Sequence, residues 1–312
     1  MPAPSIEVLE APPADLTELA ALLAAAREAD GHQPLGEQKR LELHGKGPFL
    51  ALVARQPAGA GPGPLVGLAQ IDVGTGAFSL EVVVDPAHRD GAGDDAEDVR
   101  RLLVMAARDE VERRGGGTLR YWVAQAGTPD DAAARALGFA PERELLQLRL
   151  DLPSAPHLDD SSDLALRPFR PGQDEAAWLA VNARAFADHP EQGHWNEAAL
   201  SARESEAWFD PNGFLIAEQA GRIAGSCWTK LHRDADPLTG EIYVISVDPD
   251  FQKQGLGRRL TAAGLDWLAR AGARVGMLYV DASNEGAVAM YRSLGFEEDH
   301  ADRCYGMVVP PA

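Results

Sequence analysis

The sequence predicts an α/β fold made of two tandem copies of one unit, each with a mixed sheet, and three observations predict it. The run Val82-Val83-Val84-Asp85-Pro86 followed by Gly91-Ala92-Gly93 is echoed by Ile245-Ser246-Val247-Asp248-Pro249 followed by Gly255-Leu256-Gly257, at offsets of 163 to 164 residues. Leu137-Gly138-Phe139 is echoed by Leu294-Gly295-Phe296. In both copies a short apolar run breaks at Asp-Pro and passes a glycine-containing turn, the punctuation of a strand handing over to a helix. A chain of 312 residues with 45% hydrophobic side chains has enough apolar matter for two cores.

Taken in order, the Pro- and Gly-rich residues 57 to 64 form a hairpin loop of the first copy, too poor in side chains to hold a site. Val82 to Val84 are a strand. Leu150 to Ser162, with Pro153, Pro156 and an Asp-Asp-Ser-Ser-Asp run, have the polar composition of a linker. The boundary falls near residue 155, giving domains 1–152 and 160–312. Arg167-Pro168-Phe169 opens the second copy as a strand, and Asp174 to Phe186 is its first helix. Ile242 to Val247 form the strand before the second glycine turn. The helix that follows carries Leu256, Leu260, Ala263, Trp267 and Ala271 on one face.

Charge and cysteine content exclude whole classes of function. With 29 basic against 48 acidic side chains the net charge is −19, which opposes nucleic acid or an anionic membrane as main partner. Two cysteines, no basic-then-apolar leader and no run of 18 apolar residues point to a reduced, cytoplasmic protein, expected to be a monomer. His189 and His194 lack a third ligand at suitable spacing, so no metal site is expected.

The chemistry concentrates after Val247. A glycine turn entering a helix aims backbone N–H groups and the positive helix end at phosphate. Without a Cβ, Gly255 and Gly257 let the main chain approach a pyrophosphate, and Gln252, Lys253 and Arg258 add donors and charge. A Gly-x-Gly alone is more often an ordinary turn; the residues around it decide. The first copy carries His88, Arg89 and Asp90, then Asp94, Asp95, Glu97 and Asp98. Carboxylates in a first helical turn satisfy the dipole themselves and repel phosphate, so this copy is expected to be a degenerate, non-catalytic scaffold. Ala134 stands where the second copy has Tyr291.

The run Gln252-Lys253-Gln254-Gly255-Leu256-Gly257, with Asn284, Tyr291 and Leu294-Gly295-Phe296 after it, resembles the signature of the GCN5-related N-acetyltransferase (GNAT) superfamily. The resemblance implies a GNAT fold in each copy and acetyl-CoA as co-substrate. It implies cofactor contacts from Ile245, Ser246, Val247, Gln252 to Arg258 (Gln254 and Leu256 included), and Asn284, Glu285, Gly286, Ala287, Val288 and Ala289. Val82, Val83 and Val84 are the corresponding strand groups of the first copy. Several further blocks resemble the mycothiol synthases, a tandem actinobacterial family within that superfamily: Pro34-Leu35-Gly36-Glu37-Gln38, Asn182-Ala183-Arg184-Ala185-Phe186, His189-Pro190-Glu191-Gln192-Gly193, Glu206-Ala207-Trp208-Phe209-Asp210-Pro211, Trp228-Thr229-Lys230 and Glu241-Ile242-Tyr243-Val244. That family acetylates the cysteinyl amine of a cysteine–glucosamine–inositol conjugate, the last step of mycothiol biosynthesis. The resemblance implies substrate contacts from Glu37, Glu191, Lys230, Glu241 and Tyr279. Glu37 belongs to the first copy, so a pocket between the domains is expected.

Amine attack on a thioester needs a neutral amine, a polarised carbonyl and a stabilised leaving thiolate. A cysteinyl α-amine titrates near 8, so roughly a tenth is neutral at pH 7 and a base is helpful without being indispensable. Glu241, at the start of the strand leading to the turn, is placed to be that base, and Tyr291 to be the general acid. Carbonyl polarisation is assigned to a main-chain N–H in Ile245 to Val247, which requires the strand pairing to be interrupted there. Two other readings stay open: a GNAT enzyme acting on an aminoglycoside, a polyamine or other small amine, or a protein N-terminus, and a non-enzymatic acyl-CoA-binding regulator. Retention of both Glu241 and Tyr291 speaks against the regulator.

Overall fold

The structure is a computed structural model that describes residues 4–58, 61–73, 77–89, 99–153, 165–187, 193 and 195–312. Outside the described residues lie the acidic turn from Asp90 to Asp98, most of the linker, and His189 to Gln192 with His194, which removes Glu191 from the geometry below. The chain divides into two compact units, one of Met1–Glu144 with Ala301–Ala312 and one of Leu145–His300.

The first unit begins with β1 (Ser5–Leu9), α1 (Thr17–Asp30), α2 (Glu37–Leu43), β2 (Ala51–Arg55), β3 (Leu65–Val73) and β4 (Ala77–Val84). It continues with α3 (Val99–Arg113), β5 (Gly117–Val123), α4 (Thr128–Ala136) and the start of β6 (Ala140–Asp151). The strands run in the order β1-β2-β3-β4-β5, all antiparallel except β4 with β5, and residues 303–309 of β12 (Glu297–Val309) pair with β5. Period-2 alternation sorts the strand residues between two helical layers. Ala51, Val53, Leu68 and Val83 meet Leu19, Leu22 and Ala26 of α1. Leu52, Ala69, Ile71 and Leu80 meet Leu103, Val104, Ala107 and Val111 of α3 on the opposite face. A sheet buried on both faces explains why these strands are apolar at nearly every position.

The second unit repeats the plan with β7 (Leu166–Pro168), α5 (Glu175–Ala185), α6 (Glu197–Glu204), β8 (Phe214–Gln219) and β9 (Arg222–His232). Then follow β10 (Thr239–Val247), α7 (Leu256–Arg270), β11 (Val275–Asp281) and α8 (Glu285–Ser293). Strand order is β7-β8-β9-β10-β11, with β10 and β11 parallel, and residues 145–151 of β6 pair antiparallel with β11. The buried face of α7 differs from the stripe expected: Leu265 and Leu268 are buried as fully as Leu260, whereas Trp267 is half-buried and Ala271 is exposed just past the end of the helix. Gly264 sets how closely α7 lies on the sheet: a Cβ there would stand 2.5 Å from Cys227 Sγ and 2.7 Å from Ile242 Cδ1. On the other face Trp178, Trp228, Phe214 and Val244 form the core under α5 and α6.

Candidate active site

Strand β10 positions the site because it parts from its neighbour. It pairs with β9 along its whole length, with a bulge between Ile242 and Val244. With β11 it pairs only at Thr239, Gly240 and Glu241. From Ile242 to Val247, the β11-facing edge therefore has no ladder partner among the described residues. Backbone N–H and C=O groups without a ladder partner are strong, directed hydrogen-bonding groups. In the first unit β4 pairs with β5 from Ala77 to Glu81, so Val82, Val83 and Val84 likewise lie beyond the paired stretch.

At the far end of β10 the chain turns as its residue types dictate. The Asp248 side chain accepts from Asp250 N at 2.9 Å and caps a short 3-10 turn over Pro249–Phe251. Asp85 does the same for Ala87 in the first unit at 2.8 Å, so the Asp-Pro repeat is a repeated local structure. Gln252 Nε2 donates to Val247 O at 3.2 Å and folds the turn back on the strand. Gly255 has φ of 74°, the left-handed conformation that glycine adopts without strain. It is the N-cap of α7 and, being glycine, supplies no side-chain cap to the helix. A Cβ at Gly257 would lie 3.8 Å from Val247 Cγ2 and 4.0 Å from Met290 Sδ, ordinary contact distances, so the turn faces the strand end and α8 with room for a methyl group. Arg258 crosses to α8 and donates to Ser293 Oγ at 2.6 Å. Asn284 is the N-cap of α8, its side chain accepting from Ala287 N at 3.2 Å. Acidic charge beside the turn is neutralised: Arg184 lies 3.1 Å from Asp250 and 3.2 Å from Asp248, and Arg222 3.3 Å from Asp250. The hydrogen bond from Arg184 holds the Asp250 carboxyl below the usual carboxylate range.

Glu241 stands where β10 and β11 separate. It is buried, its Oε2 lies 2.8 Å from His232 Nε2, and Lys230 is directly across on β9. Lys230 is buried too, its Nζ 4.4 Å from the centroid of Trp208 and 5.0 Å from that of Tyr243. Tyr243 occupies the bulge and accepts from Arg203 Nε at 2.7 Å, while the Arg203 guanidinium lies 4.1 Å from the Trp195 ring centre. The start of the free edge is thus walled by aromatic rings with two cations among them.

Tyr291 is buried on α8. Burial, followed by the neighbouring Cys227, raises its phenol above the ordinary tyrosine range. Burial pushes the Cys227 thiol up to about 12, so it is neutral and unsuited to be a nucleophile. Tyr279 is exposed on β11, and Gln147 Nε2 of β6 donates to its hydroxyl at 2.6 Å. Glu37 opens α2 in the first unit, half-buried. The turn, the end of β10, Arg258 and α8 are brought together, as are Glu241 and Lys230. Among the described residues no group of three His, Cys, Asp or Glu side chains is arranged to hold a metal. Sequence reasoning passed over His232, Arg203 and Gln147. His232 carried a signal, since it is two residues beyond Lys230 on one strand and so shares its face.

Comparison with known proteins gives the family and the fold. Residues 178–296 match the Acetyltransferase (GNAT) family. A mycothiol acetyltransferase of Cellulomonas flavigena is 43% identical, over 96% of this chain and 87% of that one. One from Streptomyces coelicolor is 42% identical over 96% and 94%. Among solved structures, a GCN5-related N-acetyltransferase from Sphaerobacter thermophilus superposes with a TM-score of 0.70 at 24% identity, covering 98% of this chain and 96% of that one. A tandem GNAT protein from the clavulanic acid biosynthesis pathway gives 0.69 at 18% identity, covering 99% and 100%. At such identities the structures establish a shared fold.

Proposed function

The chain belongs to the mycothiol acetyltransferase family and is an acetyl-CoA-dependent N-acetyltransferase, and from that premise we propose that it acetylates the cysteinyl amine of the cysteine–glucosamine–inositol conjugate at the free edge of β10. One observation carries the placement: a single strand edge, Ile242 to Val247, beyond the β10–β11 ladder among the described residues, has a buried carboxylate at its start and the glycine turn at its end. An extended thioester laid along that edge puts its phosphates at the N-terminus of α7 and its acetyl group toward Glu241. Six residues of strand separate the two ends, about 20 Å.

In this proposal the amine nitrogen attacks the acetyl carbonyl carbon and the carbon–sulfur bond breaks. Glu241 takes the ammonium proton, a main-chain N–H of Ile245 to Val247 donates to the carbonyl oxygen as charge develops, and Tyr291 donates to the departing sulfur. The raised phenol stays protonated across the working range. A thiolate expelled into the same buried surroundings is made more basic by the same loss of solvent, which keeps donor and acceptor matched. Lys230, Glu241 and Tyr279, with Glu37 and Glu191 by resemblance, are proposed to bind the sugar–inositol and its amine. Gln252 to Arg258 and Asn284 to Ala289 are proposed to bind acetyl-CoA, with Val82 to Val84 as the first unit's counterpart. The reaction is placed in the cytoplasm, where acetyl-CoA is supplied.

The test is acetyl-CoA consumption with the cysteinyl conjugate against an aminoglycoside, a polyamine and a peptide N-terminus. The conjugate should lead in kcat/KM; another amine ahead by more than about tenfold would overturn the substrate assignment.

A further inference from the structure

We propose that His232 is a positioning residue for the acetyl transfer, orienting the Glu241 carboxylate by donating from Nε2 to Oε2 so that Oε1 is presented to the amine. The inference rests on Glu241 being the base. His232 is the last residue of β9 and lies opposite Thr239 in the ladder, while Glu241 lies opposite Lys230. Residues two apart share a face, so His232, Lys230, Thr239 and Glu241 all project from one side of the hairpin, with His232 and Glu241 as diagonal neighbours. The diagonal is closed by the 2.8 Å contact between Nε2 and Oε2. The side chain of Glu241 is 11% exposed and that of His232 29%.

A carboxylate at the end of two side-chain methylenes has several rotamers, and a proton acceptor that must meet an amine held by other groups gains from losing that freedom. The strand fixes Cα, and the imidazole fixes one oxygen. Lys230, which shares this face, has its Nζ over the rings of Trp208 and Tyr243. The arrangement is a base held by a third group, here built across a β-hairpin.

The reach of the donor distinguishes positioning from packing. A glutamine amide occupies roughly the place of Nε2, an asparagine amide that of Nδ1. His232→Gln should therefore keep kcat within about threefold of the natural protein, whereas His232→Asn and His232→Ala should each lose about tenfold in kcat, with KM for acetyl-CoA unchanged. In a Glu241→Gln background, His232→Ala should have no further effect, because the group it orients is gone. Steady-state kinetics on these proteins, with thermal melting to verify folding, decide the matter. Equal activity of the Asn and Gln variants, or a full additional loss in the Glu241→Gln background, would overturn the role of His232. Natural kcat in Glu241→Gln alone would instead remove the base assignment, and with it the premise.

Discussion

At the scale of single residues, Glu241 and Tyr291 are expected to separate by their response to pH. Glu241→Ala should lower kcat/KM by roughly tenfold to a thousandfold near neutrality and recover partly as the amine deprotonates unaided at higher pH. Tyr291→Phe should lower the rate without that recovery, because the missing group is a donor to sulfur; identical pH profiles for the two variants would refute both roles. A different residue should govern stability. Glu42, on α2 of the first unit, is fully buried, accepts from Gln38 Nε2 at 2.9 Å and Gln70 Nε2 at 3.1 Å, and burial pushes its carboxyl up to about 7 from 4.5. A carboxyl raised in the folded state binds its proton more tightly there than in the unfolded chain. Its contribution to stability is therefore complete below 4.5 and is lost as pH rises through about 7, a difference of about 3 kcal/mol. Glu42→Gln keeps the shape without the charge, and the buried Gln70 Oε1, which has no partner among the described residues, can receive the new amide. The variant should melt several degrees above the natural protein near pH 8 and level with it near pH 5; no difference at either pH would mean the carboxylate is not penalised.

At the scale of elements, the turn between β10 and α7 makes opposite demands on stability and binding. The room around Gly257 admits a Cβ, and a carboxylate in the first turn of α7 complements the helix dipole. Gly257→Glu should therefore fold with an unchanged or raised melting temperature and yet lose acetyl-CoA affinity by well over tenfold, since its charge sits where the phosphates are proposed to bind. Calorimetric affinity within about threefold of the natural protein would remove the turn from the site. This element was legible in the sequence because Gly255, Gly257 and the Asp-Pro pair answer to local backbone rules. The bulge at Tyr243 and the early end of the β10–β11 ladder were not, because both are settled by how neighbouring strands register. The Glu241–His232 pair was half legible: strand alternation gives the shared face, but only the hairpin register brings residues nine apart into contact.

At the scale of the whole molecule, each compact unit is completed by a strand from the other half of the sequence. Residues 145–151 of β6 lie along β11 in the second unit, and 303–309 of β12 lie along β5 in the first. A Leu-Gly-Phe motif precedes both strands, so nothing local tells one from the other, and the division by composition near residue 155 carries no sign of the exchange. Long-range complementarity decides it. Tyr305 is fully buried in the first unit and donates to Asp131 Oδ1 at 2.7 Å, and Arg303 reaches Asp131 at 3.0 Å and Glu144 at 3.1 Å. In the second unit Leu148 is fully buried and Gln147 holds Tyr279. Cutting the chain at the linker therefore strips each unit of its closing strand, leaving Gly117–Val123 and Val275–Asp281 as unpaired edges that invite aggregation. Residues 1–155 and 156–312 produced separately should aggregate or self-associate, whereas the two pieces produced together should recover acetyl-CoA binding close to that of the intact chain. Light scattering and calorimetry on the three preparations test this. A monomeric 156–312 piece with the intact chain's acetyl-CoA affinity would show that the exchanged strand is dispensable, and Gln147 would then have no part in holding Tyr279 for the substrate.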